Sequence, residues 1–193
     1  PAAATAPNAA PATAATVFLG AILANTAILI TADTPGADGN AIGVSMTADG
    51  ASQALAVSYS GSVLQIALET DAQGVPVSTA AEVVTEINGS SAPVTASDRV
   101  GTSDGSGVVR ALTATLSLTG GADEPFPLNT PVLGAGQRGA VGQLDTTGAF
   151  TGTLATALEG IFDQIGAVVV IVRVEEGADE AETLANVVGG ANA

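Results

Sequence analysis

The chain has 193 residues and a net charge of −15, with 19 carboxylates against four arginines (Arg99, Arg110, Arg138 and Arg173) and no lysine. Nucleic acid binding takes several cations to displace counterions from phosphates, so this balance argues against direct DNA or RNA contact and against docking on an anionic membrane. Cysteine and histidine are absent, which removes thiol, disulfide, zinc–thiolate and imidazole chemistry, and no apolar run approaches the roughly 18 residues of a membrane span.

Hydrophobic residues make up 47% of the chain but aromatics only 3%, and alanine and valine supply most of the total. At roughly 25 cal/mol per Å² of apolar area, each buried alanine adds little. Such a core needs extensive backbone pairing or burial against neighbouring subunits. The composition therefore suits a β-rich component of an assembly better than a free-standing enzyme, and it calls for no cofactor. The length fits one or two domains, and the lack of cysteine fits a cytosolic folding environment.

In chain order, residues 1–15 are rich in Ala, Pro and Thr and lack the positive n-region of a secretory signal. They read as a flexible lead-in, and Pro1 in place of methionine points to processing or trimming. Residues 16–119 read as a mainly-β domain with one helix. Runs at 16–19 and 27–32 are its first strands. The cluster Asp33-Thr34-Pro35-Gly36-Ala37-Asp38-Gly39-Asn40 is a turn, with Pro35 fixing φ and the glycines allowing positive φ. Strands over 41–47 and 55–59 follow, and Ser60-Gly61 ahead of the run 63–68 gives a hairpin pattern. Residues 79–88 place Val83, Val84 and Ile87 at helical spacing. Thr79 and Glu82 have capping-box spacing, and Gly89 stands at the stop. A last strand over 108–118 sets Leu112, Ala114, Leu116 and Leu118 on one face.

Residues 120–125 form a linker, and beyond it the period changes. A strand at 131–133 precedes a helix in which Leu154, Leu158, Ile161, Phe162 and Ile165 share one face. Thr151 or Thr153 can cap that helix and Gly166 can end it. Residues 168–174 lack polar alternation, the pattern of a strand buried on both faces in a parallel sheet, reached by a right-handed crossover. Asp179 opens a second helix, with Glu182 three residues on and Leu184, Val187 and Val188 facing inward. The class is α+β: a mainly-β domain over 16–119, then a strand–helix–strand–helix α/β portion over 120–193.

No segment carries a catalytic or metal-binding pattern. Asp33, Asp38 and Asn40 offer oxygen ligands, but their spacing is not that of an EF-hand loop and they suit a turn better. Glu175, Glu176, Asp179, Glu180 and Glu182 form the densest carboxylate run. Glycoside hydrolysis needs two carboxylates across a cleft, whereas solvated caps at a strand end and a helix N-terminus account for them through the helix dipole. The glycine-rich run 101–107 lacks the lysine of a phosphate-binding loop. Arg173, set in an apolar strand, needs a carboxylate partner if buried. Arg173, Glu175 and Glu176 are the candidates for contact between subunits.

Three segments, taken together, carry a resemblance: Phe126-Pro127-Leu128-Asn129-Thr130-Pro131-Val132-Leu133, Ala157-Leu158-Glu159-Gly160-Ile161-Phe162-Asp163-Gln164, and Ala167-Val168-Val169-Val170-Ile171-Val172-Arg173-Val174-Glu175-Glu176-Gly177. In order and spacing they resemble the tail sheath proteins of contractile-tailed bacteriophages, over about residues 121–190. Residues 16–119 resemble, more loosely, a module inserted in phage virion proteins, through Thr34-Pro35-Gly36-Ala37-Asp38-Gly39-Asn40 and Ser78-Thr79-Ala80-Ala81-Glu82-Val83. The resemblance implies a virion subunit, assembled in the host bacterial cytoplasm, that stacks helically with like copies around the tail tube protein. It implies contraction that drives DNA delivery by a change of packing, without bond chemistry. Sheath proteins carry a strand arm before the first motif and continue past the last one, so the chain is read as part of a longer polypeptide. The other function class is an outer surface module contacting host envelope or glycans, against which the scarcity of aromatics for sugar stacking speaks.

Overall fold

The computed structural model describes residues 6, 8–135, 137–150, 152–164, 168–175 and 177–188. Among these residues are nine strands and four α-helices, an α+β chain. It divides into two compact units, Ala12–Asp123 and, discontinuous in sequence, Pro1–Pro11 with Glu124–Ala193. The first is inserted in the sequence of the second. Its two ends lie side by side, as an insertion requires: the Thr13 N–H donates to the Ala122 carbonyl at 2.8 Å, and the Ala122 N–H returns at 3.1 Å. The expected lead-in over 1–15 is therefore shared between the units. Ala15 is fully buried in the first, while Ala6 is buried in the second and the Ala10 N–H donates to the Gln143 carbonyl.

The inserted unit contains strands β1 (Thr16–Leu19), β2 (Ile28–Ala32), β3 (Gly43–Thr47), β4 (Ala56–Ser60), β5 (Val63–Ala67), β6 (Val94–Ser97) and β7 (Leu116–Ser117), with helix α1 (Ala80–Gly89). One sheet is antiparallel in the order β1-β2-β6; the other runs β4-β5-β3-β7, with β3 and β5 parallel. Period-2 patterning sends Ile28 and Ile30, Val44 and Met46, and Leu64 and Ile66 into a single core. Val83, Val84 and Ile87 of α1 join it, as their helical spacing requires.

Local signals are met closely here. In the β4–β5 hairpin Ser60 pairs with Val63. That leaves Gly61 and Ser62 as the turn, at φ 58° and 63°, one residue later than expected. Two consecutive positive φ values match the twist of the flanking strands. Thr79 Oγ1 accepts from the Glu82 N–H at 3.3 Å, and Glu82 Oε2 accepts from the Thr79 N–H at 2.8 Å. The Thr79 amide, then its hydroxyl, hold the Glu82 carboxyl below its usual range. The glycine-rich loop that follows later in the chain fills the rest of the helix start, since Gly107 and Gly105 carbonyls accept from Ala80 and Ala81 N–H. Gly89 stays inside the helix and Ser90 caps it. Thr79→Ala is expected to cost about 1 kcal/mol in chemical denaturation, with Thr79→Ser close to wild type.

The strand expected over 108–118 forms only at β7. Leu116 pairs with Val44 and Ser117 with Gly43, while Val108 makes a lone bridge to Thr79. Of the predicted inward face, Leu118 is buried and Leu112 half-buried, but Ala114 and Leu116 are exposed. Alternation assigns faces; it supplies no neighbour for the ladder. The first sheet has β6 at its edge, a strand with too little apolar patterning to stand out in the sequence.

The second unit contains strand β8 (Pro131–Ala135), helices α2 (Gln137–Leu144) and α3 (Leu154–Gln164), strand β9 (Val168–Val172) and helix α4 (Glu180–Val188). Its core joins Ala6, Phe126, Leu144, Leu154, Leu158 and Phe162 to Ile171. Leu154, Leu158 and Phe162 of the expected helical face are buried, whereas Ile161 is exposed; Thr151, Ile165 and Gly166 lie outside the described residues. The Thr153 carbonyl accepts from the Ala157 N–H. β9 departs from expectation. Among the described residues it pairs antiparallel with β8 alone, so the two strands form a ribbon backed by helices instead of the expected parallel α/β sheet with its crossover. In α4, Asp179 Oδ1 accepts from the Glu182 N–H and Glu182 from the Ala178 N–H, both at 2.8 Å. Leu184 is exposed, against expectation, and Thr183 is the buried residue. The side chains of Val187 and Val188 lie outside the described residues.

A carboxylate closes the loop after α2. Buried Asp145 accepts through Oδ1 from the N–H groups of Thr147 (3.0 Å) and Gly148 (3.1 Å) and from the Thr147 hydroxyl (2.8 Å), and through Oδ2 from the Phe150 N–H. The Thr147 hydroxyl is the main cause of a carboxyl held below the usual aspartate range. A depressed folded-state pKa means the unfolded chain binds the proton more readily. The stabilisation is thus present above the unfolded value, about 4, and is lost as pH falls toward the folded one. The thermal midpoint of wild type is expected to exceed that of Asp145→Asn at pH 7, and the gap to shrink on titration toward pH about 3.

Candidate assembly surface

The β8–β9 ribbon has two unlike faces, because side chains alternate along each strand. Val132, Gly134, Val169 and Ile171 face the core of the second unit, Val132 and Val169 being partly buried there. Gly134 suits this approach: a Cβ on it would lie 2.6 Å from Ile171 Cδ1, which would have to shift. The other face pairs Pro131 with Val172 and Leu133 with Val170, ending at Val168. Leu133 is 68% exposed and Val168 and Val170 each 67%. This face carries no charged residue, in a chain of net charge −15.

The edges of the ribbon are as open as the face. Among the described residues β8 and β9 pair only with each other, apart from the bridge of Leu128 to Arg173 and the Asn129 N–H to the Arg173 carbonyl at 2.7 Å. An apolar two-stranded ribbon with both edges free is the kind of surface that soluble proteins cover.

The three residues singled out from the sequence have different fates. Arg173 is turned inward. It is buried and forms an ion pair with Glu124, the two side chains being 10% and 30% exposed. A guanidinium taken out of water must be neutralised within reach, so Arg173 is committed to its own chain instead of a neighbour. Its Nε has no hydrogen-bond partner among the described residues. Glu124, 49 positions earlier in the chain, falls in the linker run 120–125; only its position beside the first motif marks it. Glu175 is exposed, and its carbonyl accepts from Asn186 Nδ2 at 3.0 Å. Glu176 lies outside the described residues. The apolar face beside them carries no such polar marker.

Of the turn residues that offered oxygen ligands, Asp33 and Asn40 have structural partners. Asp33 accepts from the Thr95 hydroxyl at 2.7 Å, and the Asn40 amide exchanges hydrogen bonds with the Gly121 backbone at 2.7 and 2.9 Å. Among the described residues no group of three or more acidic side chains is placed to hold a metal ion, and no helix is long and apolar enough to cross a membrane. Comparison with family models, curated proteins and solved structures finds no match to this chain.

Proposed function

We propose that the chain is a structural subunit, or a portion of one, of the contractile tail sheath of a bacteriophage. It assembles with like copies in a helical array around the tail tube, and contraction of that array drives DNA delivery. The motifs at 126–133, 157–164 and 167–177 support this identity. The observation that carries the assembly role is the outward face of the ribbon, where Leu133, Val168 and Val170 leave most of their area in water. Each full burial of such a side chain is worth roughly 1.5–3 kcal/mol, which this chain does not collect within its own fold. A second copy supplies the cover, and repetition of the contact builds the array. Function then lies in two alternative packings of the same subunits, with no catalytic residue and no cofactor.

Sedimentation velocity over a concentration series, with negative-stain microscopy, tests the proposal with and without the tail tube protein. Rings or tubes are the expected result. A monomer at every concentration, even beside the tube, would overturn it.

A further inference from the structure

Four segments of the inserted unit, far apart in sequence, meet around a half-open hollow of about 230 Å³: the turn after β2, the tip of the β4–β5 hairpin, Pro93 and Asp123. Drug-sized ligands fill roughly 300 Å³ or more, so this hollow suits a single ring-sized group. Its lining is open to solvent. Tyr59 is 36% exposed, and Thr34, Pro35, Asp38 and Asp123 are exposed as well. Tyr59 is the only tyrosine of a chain that has no tryptophan. Two carboxylates, Asp38 and Asp123, line the hollow, and no arginine does. Among the described residues the side chains of Thr34, Asp38 and Tyr59 make no hydrogen bond.

The hollow is also held in shape. Asp123 Oδ1 accepts from the Ala37 N–H at 2.8 Å, which orients that carboxylate and leaves its second oxygen for a ligand. Gly36, at φ 136°, lets the turn come this close, since a Cβ on it would lie 3.0 Å from the same Oδ1. The Gly36 N–H donates to the Thr13 carbonyl at 2.9 Å, and the Asp33 N–H to the Pro93 carbonyl at 3.1 Å. The turn is thereby pinned on two sides, and a preformed site loses little entropy when a ligand enters.

We propose that this hollow binds one residue of a neutral saccharide. The apolar C–H face of the sugar ring lies on Tyr59, whose ring offers an apolar body with a polar tip. Hydroxyls of the sugar donate to the unengaged oxygens of Asp38 and Asp123, and an ionised acceptor makes the stronger bond. An anionic sugar is refused, because the two carboxylates have no cation beside them to offset a third. Aromatic residues are scarce in this chain, but one such site needs one ring, and the single tyrosine is at it. The proposal is independent of the sheath assignment, since it uses only residues of the inserted unit.

With one tyrosine and no tryptophan, the intrinsic emission of the whole chain reports on this hollow alone. Titration with the methyl glycosides of glucose, galactose, mannose and N-acetylglucosamine, into the millimolar range, tests the proposal. A saturable change in tyrosine emission is expected with at least one of them, and none with glucuronate. Saturation-transfer NMR with the same glycoside then compares variants. Asp38→Asn should weaken binding by about tenfold, the loss of one charge-assisted contact. Tyr59→Ala should abolish it, while Tyr59→Phe, which keeps the ring, should retain most of it. No saturable change with any of the four glycosides, equal affinity for glucuronate, or undiminished saturation transfer in both Tyr59→Ala and Asp38→Asn would overturn the proposal.

Discussion

Replacing Leu133 and Val170 by glutamate is expected to leave the chain folded and to abolish its self-assembly. The two residues face each other across the ribbon, 68% and 67% exposed, so the subunit's own core gains little from them. Surface changes of this kind move stability by about 0.5 kcal/mol or less. In a contact between copies both side chains are desolvated, and a carboxylate placed there is costly unless it finds a partner. A loss of about 2.8 kcal/mol per contact raises the concentration needed for assembly a hundredfold, and the double substitution should exceed that. Added negative charge could itself keep copies of an acidic chain apart, so Val170→Thr, nearly isosteric and uncharged, is the control. It should weaken assembly in the same direction by a smaller factor, at low and high salt alike. Sedimentation measures both. Assembly of the glutamate variant at wild-type concentrations would remove the ribbon face from the interface.

Glu124→Ala is expected to destabilise the second unit by about 3 kcal/mol, measured by chemical denaturation. Removing one partner of a buried ion pair leaves an uncompensated charge, which typically costs about 3–5 kcal/mol. The 30% exposure of Glu124 lets water replace part of what is lost, which places the effect at the lower end. Arg173 is held at the point where Leu128 and Asn129 meet the end of β9, so the pair ties the start of the first motif to the end of the last. Replacing both partners, Glu124→Leu with Arg173→Met, should recover most of the loss, because an apolar pair carries no desolvation penalty. A neutral Glu124→Ala would mean that Arg173 finds enough water to stand alone.

Elements whose determinants lie within a few residues of one another were legible in the sequence. The capping box at Thr79 and Glu82 spans three positions, the β4–β5 turn two, and the buried stripe of α3 repeats every turn. Helix α2 was missed because Gly139 and Gly142 dilute its pattern and, among its described side chains, only Ala140 and Leu144 are buried. β6 was missed because its four residues, Val-Thr-Ala-Ser, gain their stability from β2, more than 60 positions earlier. The candidate site was the least legible part. Arg173 drew notice as a charge in an apolar run, but its partner Glu124 is distant in sequence and pairs with it only through the fold.

The sequence by itself determined the α+β class, the places of β2, β3 and β5, the helical stripe of α1, and the poverty in basic, thiol and imidazole groups that narrows the chemistry open to the chain. It also marked residues 168–174 as a strand buried on both faces, an expectation that the exposure of Val168 and Val170 overturns. Only the tertiary structure decided that, among the described residues, β9 has one neighbour and one covered face, that Arg173 turns inward, and that Leu133, Val168 and Val170 are left outside. The reason is physical: a side chain's hydrophobicity is a property of the residue, whereas what covers it depends on strands and helices brought together from far along the chain.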